Sequence, residues 1–502
     1  MAKILSERLP KLQEFLESKA LRQWLSGTLA FTLVTCFVKS LAYEEFHLIE
    51  FVTASFAMLW ARGIQPYQDI FTVMGPVGFY TPLCYLGPAA LGIILGTSHS
   101  PHFFLLTFRL LVFAYLLGTL FLTYRLSCRI GASRNLALII CTLLIAGDWC
   151  TLSARPDWQS LFYVALSLFI LSSEEELLRV RSVALAGFFL AVAFLIYQRH
   201  LSLLASAMIY FAARKQLRMA GVLAGVFLAT LALGLGPLGL ITRGLLFVHC
   251  FFWIPLIASF PNNAEHTVFQ QAGIPFYALV AMAGCSVVWL ARHAQTRFER
   301  LMRIYALMAC ISALITLRSA GTSTNHLLEP AFALSLALVL FITASLRPGS
   351  PMSPFRRSTG ILFFAFALFY PLKVTVDSAR YWRAEILGVR GKYDWTVGHE
   401  KELERLRGGS MLTDDPAVSF RSNHPEGAFE SGYYTRVLIP RGFFDLGPTV
   451  QKIRRQSYSW IVLDPQGKVY DLLKAEIHQT YRFVENIGPR CLWIPLRRSP
   501  LR

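Results

Sequence analysis

Residues 41–86 read LAYEEFHLIEFVTASFAMLWARGIQPYQDIFTVMGPVGFYTPLCYL and directly follow the first long apolar run of the chain. The stretch opens on the acidic pair Glu44-Glu45, carries Glu50, and turns at Gly63-Ile64-Gln65-Pro66-Tyr67-Gln68-Asp69 before Gly75-Pro76. Carboxylates at the very end of a membrane span are costly unless water or a partner receives them, so they mark a functional loop. Phe46–Trp60 reads as a helix lying along the membrane surface, stopped by Gly63 and Pro66. Whether the next apolar piece, 75–96, crosses the bilayer decides the fold, because it fixes the side on which every later loop lies. Pro76, Pro82, Gly87 and Pro88 interrupt it, and broken backbone survives at membrane depth only where protein or water covers it. It is therefore read as a second interfacial or re-entrant helix.

The whole chain supports a membrane setting. Its 502 residues are 55% hydrophobic and only 16% charged, with a mean hydropathy of +0.48, which no ordinary soluble domain sustains over such a length. The net charge of +18 sits in short loops between apolar runs. There it acts as a topology signal and an attraction to anionic lipid headgroups, and nucleic acid is not an expected partner. Nine cysteines, among them Cys36, Cys141, Cys285 and Cys310, lie mostly inside apolar runs without paired spacing and read as small buried hydrophobes. Residues 1–23 are amphipathic and of mixed charge, as expected of a retained surface leader on the cytoplasmic side.

If 75–96 does not cross, spans are expected near 24–42, 103–124, 136–152, 158–172, 182–197, 201–212, 219–241, 272–291, 304–317, 329–346 and 359–376, about eleven in all. Loops on one side then hold clusters such as Arg125, Arg129 and Arg134, or Arg292, Arg297, Arg300 and Arg303. Loops on the other side hold single cations: Arg62, Arg155, Arg199, Arg243 and Arg318. This asymmetry places the N-terminus in the cytoplasm. From about residue 377 charges rise and apolar runs shrink to strand length, as at 410–413, 457–464 and 490–495, with a helix over 400–407. The expected architecture is an all-α polytopic membrane bundle (24–376), with interfacial helices in its first outer loop, and a small C-terminal α/β domain (377–502) on the outer side.

That outer side collects the isolated polar groups. Glu44, Glu45, Glu50 and Asp69 come from the first loop, then Arg155-Pro156-Asp157, Gln198-Arg199-His200, Arg243, His249, and finally Arg318 and Asn325-His326-Leu327-Leu328-Glu329-Pro330. A carboxylate in a partly dry cavity can act as general base towards a hydroxyl. Arginines at the same depth suit a phosphate or diphosphate. Together they are what glycosyl transfer from a lipid phosphate requires. The competing structural roles are a turn cap for Asp69, a helix N-cap for Asp157, and interface anchors for Arg155 and Arg199. Trp60, Trp149, Trp158 and Trp253 fit an aromatic belt, and Glu174-Glu175-Glu176 a solvated inner loop.

Glu44-Glu45 after the first span, Gly63-x-x-Pro66-Tyr67-x-Asp69, Gly75-Pro76, Arg155-Pro156-Asp157 and Asn325-His326-x-x-Glu329-Pro330 together resemble the multispanning GT-C glycosyltransferases over about residues 20–376. The group includes protein O-mannosyltransferases, the aminoarabinose transferase of lipid A, and bacterial lipopolysaccharide glycosyltransferases. The resemblance implies an inner-membrane enzyme that takes a hexosyl or pentosyl unit from a polyprenyl-phosphate donor and delivers it to a lipid, glycan or protein at the outer face. It implies Glu44 or Glu45 as the base and Asp157 as a second acid, bound to a divalent metal in some relatives. Asp69, Arg155, Gln198, Arg199, Arg318, His326 and Glu329 are then expected to bind substrate, the arginines holding phosphate. The chain departs from the group in opening its acidic pair with Glu instead of Asp, and in Tyr197-Gln198-Arg199 where relatives often carry Lys-Gln. The rival classes are a lipid or glycolipid transporter and an O-antigen ligase or polymerase. The first predicts polar groups on both faces and a repeat between halves, neither of which the sequence shows.

Overall fold

A computed structural model describes residues 11, 14–41, 48–67, 69, 80–146, 155–172, 179–252, 265–294, 296–317, 324–346, 354–387, 395–427 and 438–496. The helical part begins with α1 (Lys19–Leu41), α2 (Leu48–Ala61), α3 (Leu83–Ile94) and α4 (Pro101–Arg129). It continues with α5 (Arg134–Ala146), α6 (Asp157–Leu171), α7 (Val180–Ile196), α8 (Ser202–Ala213) and α9 (Leu217–Ile241). After a short helical stretch to Phe252 come α10 (Glu265–His293), α11 (Arg297–Leu317), α12 (Leu328–Leu346), α13 (Pro354–Ala367) and α14 (Phe369–Ile386). A helix therefore stands at each expected span.

Among the described residues, five stretches are long and apolar enough to cross a membrane: Lys19–Leu41, Pro101–Arg129, Leu217–Ile241, Leu328–Leu346 and Ser358–Ala384. The apolar helices α2, α3, α5, α6, α7 and α8 are shorter, down to the 12 residues of α3 and of α8. α2 and α3 occupy the places read as interfacial helices, and α14 runs on past the boundary expected at 376 to Ile386.

The bundle is closed by one continuous apolar core. α12 is its centre, with nearly every residue from Leu328 to Ile342 buried, so its apolar character continues round the whole helix. Small residues permit the close crossings: a Cβ added at Gly187 of α7 would lie 2.8 Å from the Leu223 carbonyl oxygen of α9. Glu50 is not a solvated loop acid. It is fully buried and forms a two-pronged ion pair with Arg109 of α4, Oε1 to Nε and Oε2 to Nη2 both 2.7 Å, which ties α2 to α4. Trp158 is also fully buried and belongs to the core instead of an aromatic belt; Trp149, Trp253 and the Glu174–Glu176 run lie outside the described residues. The leader joins the bundle, since Asn135 donates to the Leu16 carbonyl at 2.8 Å and accepts from Arg22 Nε at 3.2 Å.

The C-terminal part comprises α15 (Glu400–Arg405), β1 (Met411–Thr413), α16 (Pro416–Arg421), α17 (Gly447–Arg454), β2 (Trp460–Leu463), α18 (Lys468–Thr480), β3 (Tyr481–Ile487) and β4 (Arg490–Pro495). Its sheet has the order β1-β2-β4-β3, parallel between β1 and β2 and antiparallel elsewhere, with an irregularity between Phe483 and Glu485. The helices that intervene between β1 and β2 make the parallel pairing possible. Ile461, Leu463, Val469, Leu473, Ile477 and Trp493 build a core separate from the bundle's. Docking runs through α16, where Phe420 packs on Phe51 of α2 with ring centroids 5.7 Å apart. Arg62, just after α2, reaches the Asn423 side chain and its carbonyl (3.4 Å), and its Nε donates to the Ser98 carbonyl at 3.1 Å.

Candidate active site

The polar groups of one face converge where α6, α8 and α12 begin. Three loops deliver them: Tyr80-Thr81 before α3, Arg155-Pro156 before α6, and Tyr197–Leu201 between α7 and α8. A 3-10 turn, Thr324–Leu327, delivers His326 and leads straight into α12, whose first turn carries Glu329. Negative charge is favoured at such a helix start, where unpaired N–H groups point outward.

Tyr197, Arg199, His200, His326 and Glu329 line one cleft, with Ala309, Ser312 and Ala313 of α11 as its floor. Glu329 is held from three sides. The Tyr305 hydroxyl donates to Oε1 at 3.3 Å, the Ser202 hydroxyl to Oε2 at 3.4 Å, and His200 Nδ1 lies 3.3 Å from Oε2. Arg199 lies against the His326 ring nitrogens and 5.5 Å from the Tyr197 ring centroid. Burial first, and then the charges of Arg199, Arg155 and His200, push the His326 imidazole well below its usual 6.5, so it is neutral at physiological pH. Among the described residues no carboxylate stands within ion-pair distance of Arg199. The cleft thus holds a half-buried cation facing a neutral ring, an arrangement that receives an anion without displacing a carboxylate.

Behind this cleft lies a second group. Arg155 and Asp157 are 4% and 2% exposed, and Arg155 donates to the Tyr80 hydroxyl. Burial opposes the Arg155 charge, but Tyr80 and Asp157 outweigh it and hold the guanidinium protonated more firmly than usual. Tyr80 meets Tyr197 edge to face at 5.3 Å, joining this group to the cleft. Pro156, not Asp157, is the N-cap of α6, and no side-chain capping bond forms there. Asp157 is instead the first helical residue, and its charge acts on Tyr80, Arg155 and Tyr197.

The remaining expected residues fall elsewhere. Gln198 turns from the cleft, its Nε2 donating to the Cys250 carbonyl at 3.4 Å. Asp69 is half-buried and does not line the cleft; it follows Tyr67, which packs with Phe56 and, edge to face at 5.3 Å, with His249. Glu44, Glu45 and Arg318 lie outside the described residues. Tyr80, Ser202 and Tyr305 belong to the site and carried no signal in the sequence, being ordinary residues of a loop or an apolar helix. His200 had one, its place beside Arg199. Among the described residues no three His, Cys, Asp or Glu side chains converge at metal-ligand spacing.

No family model and no curated protein matches the chain by sequence. Its fold is similar to that of ArnT from Cupriavidus metallidurans bound to undecaprenyl phosphate, with a TM-score of 0.62 and 11% identity over 94% of this chain and 98% of that one. The same enzyme in the apo state gives a TM-score of 0.58 at 13% identity, over 95% and 98% of the two chains. A looser likeness to the S. cerevisiae Pmt1-Pmt2 O-mannosyltransferase complex bound to the sugar donor has a TM-score of 0.31 and 15% identity, over 53% of this chain and 38% of that one. At such identities the likeness is one of fold, and the fold is the one the resemblance to GT-C glycosyltransferases implies.

Proposed function

We propose that this chain is a membrane glycosyltransferase of the GT-C class that moves a sugar from a polyprenyl-phosphate donor to a lipid, glycan or protein acceptor at the extracytoplasmic face. One observation carries the reading: Arg199, half-buried and without a carboxylate partner among the described residues, faces the neutral His326 in a cleft backed by Arg155. That is a receptor for the anionic leaving group of a glycosyl phosphate. The fold adds support, since the ArnT of similar fold binds undecaprenyl phosphate.

In this scheme Glu44 or Glu45 takes the proton of the acceptor hydroxyl, whose oxygen attacks the anomeric carbon with inversion. The bond from that carbon to the phosphate oxygen breaks, and the electron pair leaves with the phosphate. Arg199 binds the developing charge, Arg155 adds its field from behind, and a neutral His326 can donate an N–H to a phosphate oxygen. Glu329, Asp157 and Asp69 shape the pocket. Arg318 is assigned to the phosphate with the other arginines, and Gln198 to the shell behind the cleft. Any divalent metal would need at least one ligand beyond the described residues, with Asp157 as a candidate partner among them. In this scheme the N-terminus lies in the cytoplasm and the C-terminal domain outside, where it closes over the site or selects the acceptor.

The test is transfer in membranes with a panel of radiolabelled polyprenyl-phosphate sugars, comparing the wild type with the Glu44→Gln/Glu45→Gln double variant. Label should reach an acceptor only with the wild type. Full activity of both single variants and of the double variant at equal expression would defeat the assignment of the base. Absence of transfer from every lipid donor would defeat the class and favour a lipid transporter.

A further inference from the structure

The far end of α6 carries a second concave site. A cavity of about 390 Å³ is lined by Tyr124, Arg125, Cys128 and Arg129 of α4, Arg134 at the start of α5, and Phe169 near the end of α6. Arg129 is fixed in place: Nη1 donates to the Phe169 carbonyl at 2.9 Å and to the Ser172 hydroxyl at 3.1 Å, and its guanidinium carbon sits 3.9 Å from the Phe169 ring centroid. Arg22, held by Asn135 next to Arg134, adds a fourth cation. Among the described residues, none of Arg125, Arg129 and Arg134 has a carboxylate within ion-pair distance, although all three are exposed.

Cations in a loop are enough to set topology, and a concave site with one guanidinium locked by two hydrogen bonds and a ring is more than topology needs. A further observation names the ligand. Leu117, Phe121 and Arg125 follow at intervals of four on one face of α4, and Leu117 and Phe121 are 40% and 62% exposed. The basic cavity therefore opens onto an apolar stripe that leads towards the middle of the bilayer. A free phosphate would use the cavity and ignore the stripe, whereas a phospholipid uses both. We propose that this pocket binds the phosphate headgroup of an anionic phospholipid from the leaflet at the arginine-rich end of the bundle, with an acyl chain along Leu117 and Phe121. The site lies at the other end of α6 from Arg155 and Asp157 and does not depend on the proposed transfer reaction.

The experiment titrates the purified full chain, in a neutral detergent, with phosphatidylglycerol, phosphatidylcholine and sodium phosphate, and reads bound lipid by native mass spectrometry. Phosphatidylglycerol should bind in preference to phosphatidylcholine, and millimolar phosphate should not displace it. Arg125→Gln/Arg134→Gln should weaken its binding on the order of tenfold, because two of the four cations of the site are lost to an anionic ligand. Arg214→Gln/Arg218→Gln, which removes two cations elsewhere on the basic side, should leave it unchanged. Should the pocket variant not fold, Arg129→Lys carries the test: it keeps the charge, loses the fork, and should still weaken binding several-fold. Unchanged binding in the folded pocket variant, an equal loss in the control variant, or displacement by phosphate would each overturn the proposal.

Discussion

Replacing Arg199 by Met or by Lys separates its charge from its geometry. In the cleft its guanidinium meets a neutral His326 and, among the described residues, no carboxylate, so it is available for a donor phosphate. Two charge-assisted hydrogen bonds to that phosphate would each contribute roughly 1.5–3 kcal/mol. Arg199→Met should therefore lower kcat/KM by about 3–6 kcal/mol, on the order of a hundredfold to ten-thousandfold. Arg199→Lys keeps a point charge and loses the fork, so its loss should be roughly ten- to a hundredfold. If the cation acts on the leaving phosphate, the deficit falls mainly on kcat; if it serves only ground-state binding, KM carries it. The pH profile supplies a second readout. Burial lowers the His326 imidazole most and the Arg199 charge next, so in Arg199→Met its titration should move up towards 6.5 and shift the pH dependence of transfer. The assay is initial rate against a radiolabelled polyprenyl-phosphate sugar from pH 5 to 8, with the melting temperature as a folding control. A methionine variant within threefold of the wild type, at equal expression, would refute the assignment of Arg199 to the donor phosphate.

Three further outcomes are expected. Tyr305→Phe deletes one of the donors to the buried Glu329 and should lower stability by about 1–3 kcal/mol, read as a fall in melting temperature; an unchanged value would show that the bond is idle. Arg109→Met removes the ion-pair partner of the buried Glu50 at a cost of roughly 3–5 kcal/mol, whereas Arg109→Met/Glu50→Gln should recover most of it; additive losses would exclude coupling. Burial raises the Asp414 carboxyl to about 6 against the opposing Arg490, so the folded C-terminal domain binds a proton that the unfolded chain has already released above its usual 3.8. Stability from this group is fully present below pH 3.8 and falls by about 3 kcal/mol (6 minus 3.8, at 1.36 kcal/mol per pH unit) by pH 6. Hydrogen exchange in β1 and β2, corrected for intrinsic rate, should show this slope in the wild type and lose it in Asp414→Asn.

The spans were legible because each demands a long run of apolar residues, and a prediction at 103–124 meets a helix from Pro101 to Arg129. The same signal places even the short pair around His200, because the Tyr197–Leu201 turn interrupts two apolar runs. β3 was not legible: only Tyr481 and Ile487 at its ends are buried, so its sequence does not alternate. The cleft was half legible. Arg155, Asp157, Arg199, His326 and Glu329 stand out as isolated charges beside apolar helices, which is rare enough to be read as functional. Their helpers do not, because a tyrosine such as Tyr305 inside a span becomes informative only when its hydroxyl is seen to meet Glu329 from 24 residues away. Glu50 misled for the converse reason. Its partner Arg109 is 59 residues on, in the middle of an apolar helix, and periodicity does not say which acid such an arginine will meet.

The clasp between Arg62 and Asn423 spans 361 residues of chain. At about 5–20 residues per second, ribosomes need roughly 20 to 70 seconds to make that length. During this interval α1 and α2 are already synthesised, while α16, which must cover α2, does not yet exist. The Phe51–Phe420 contact therefore forms only near the end of translation, after the C-terminal domain has emerged. A chain that stops before Phe420 therefore leaves Phe51 of α2 without the ring that covers it in the finished fold.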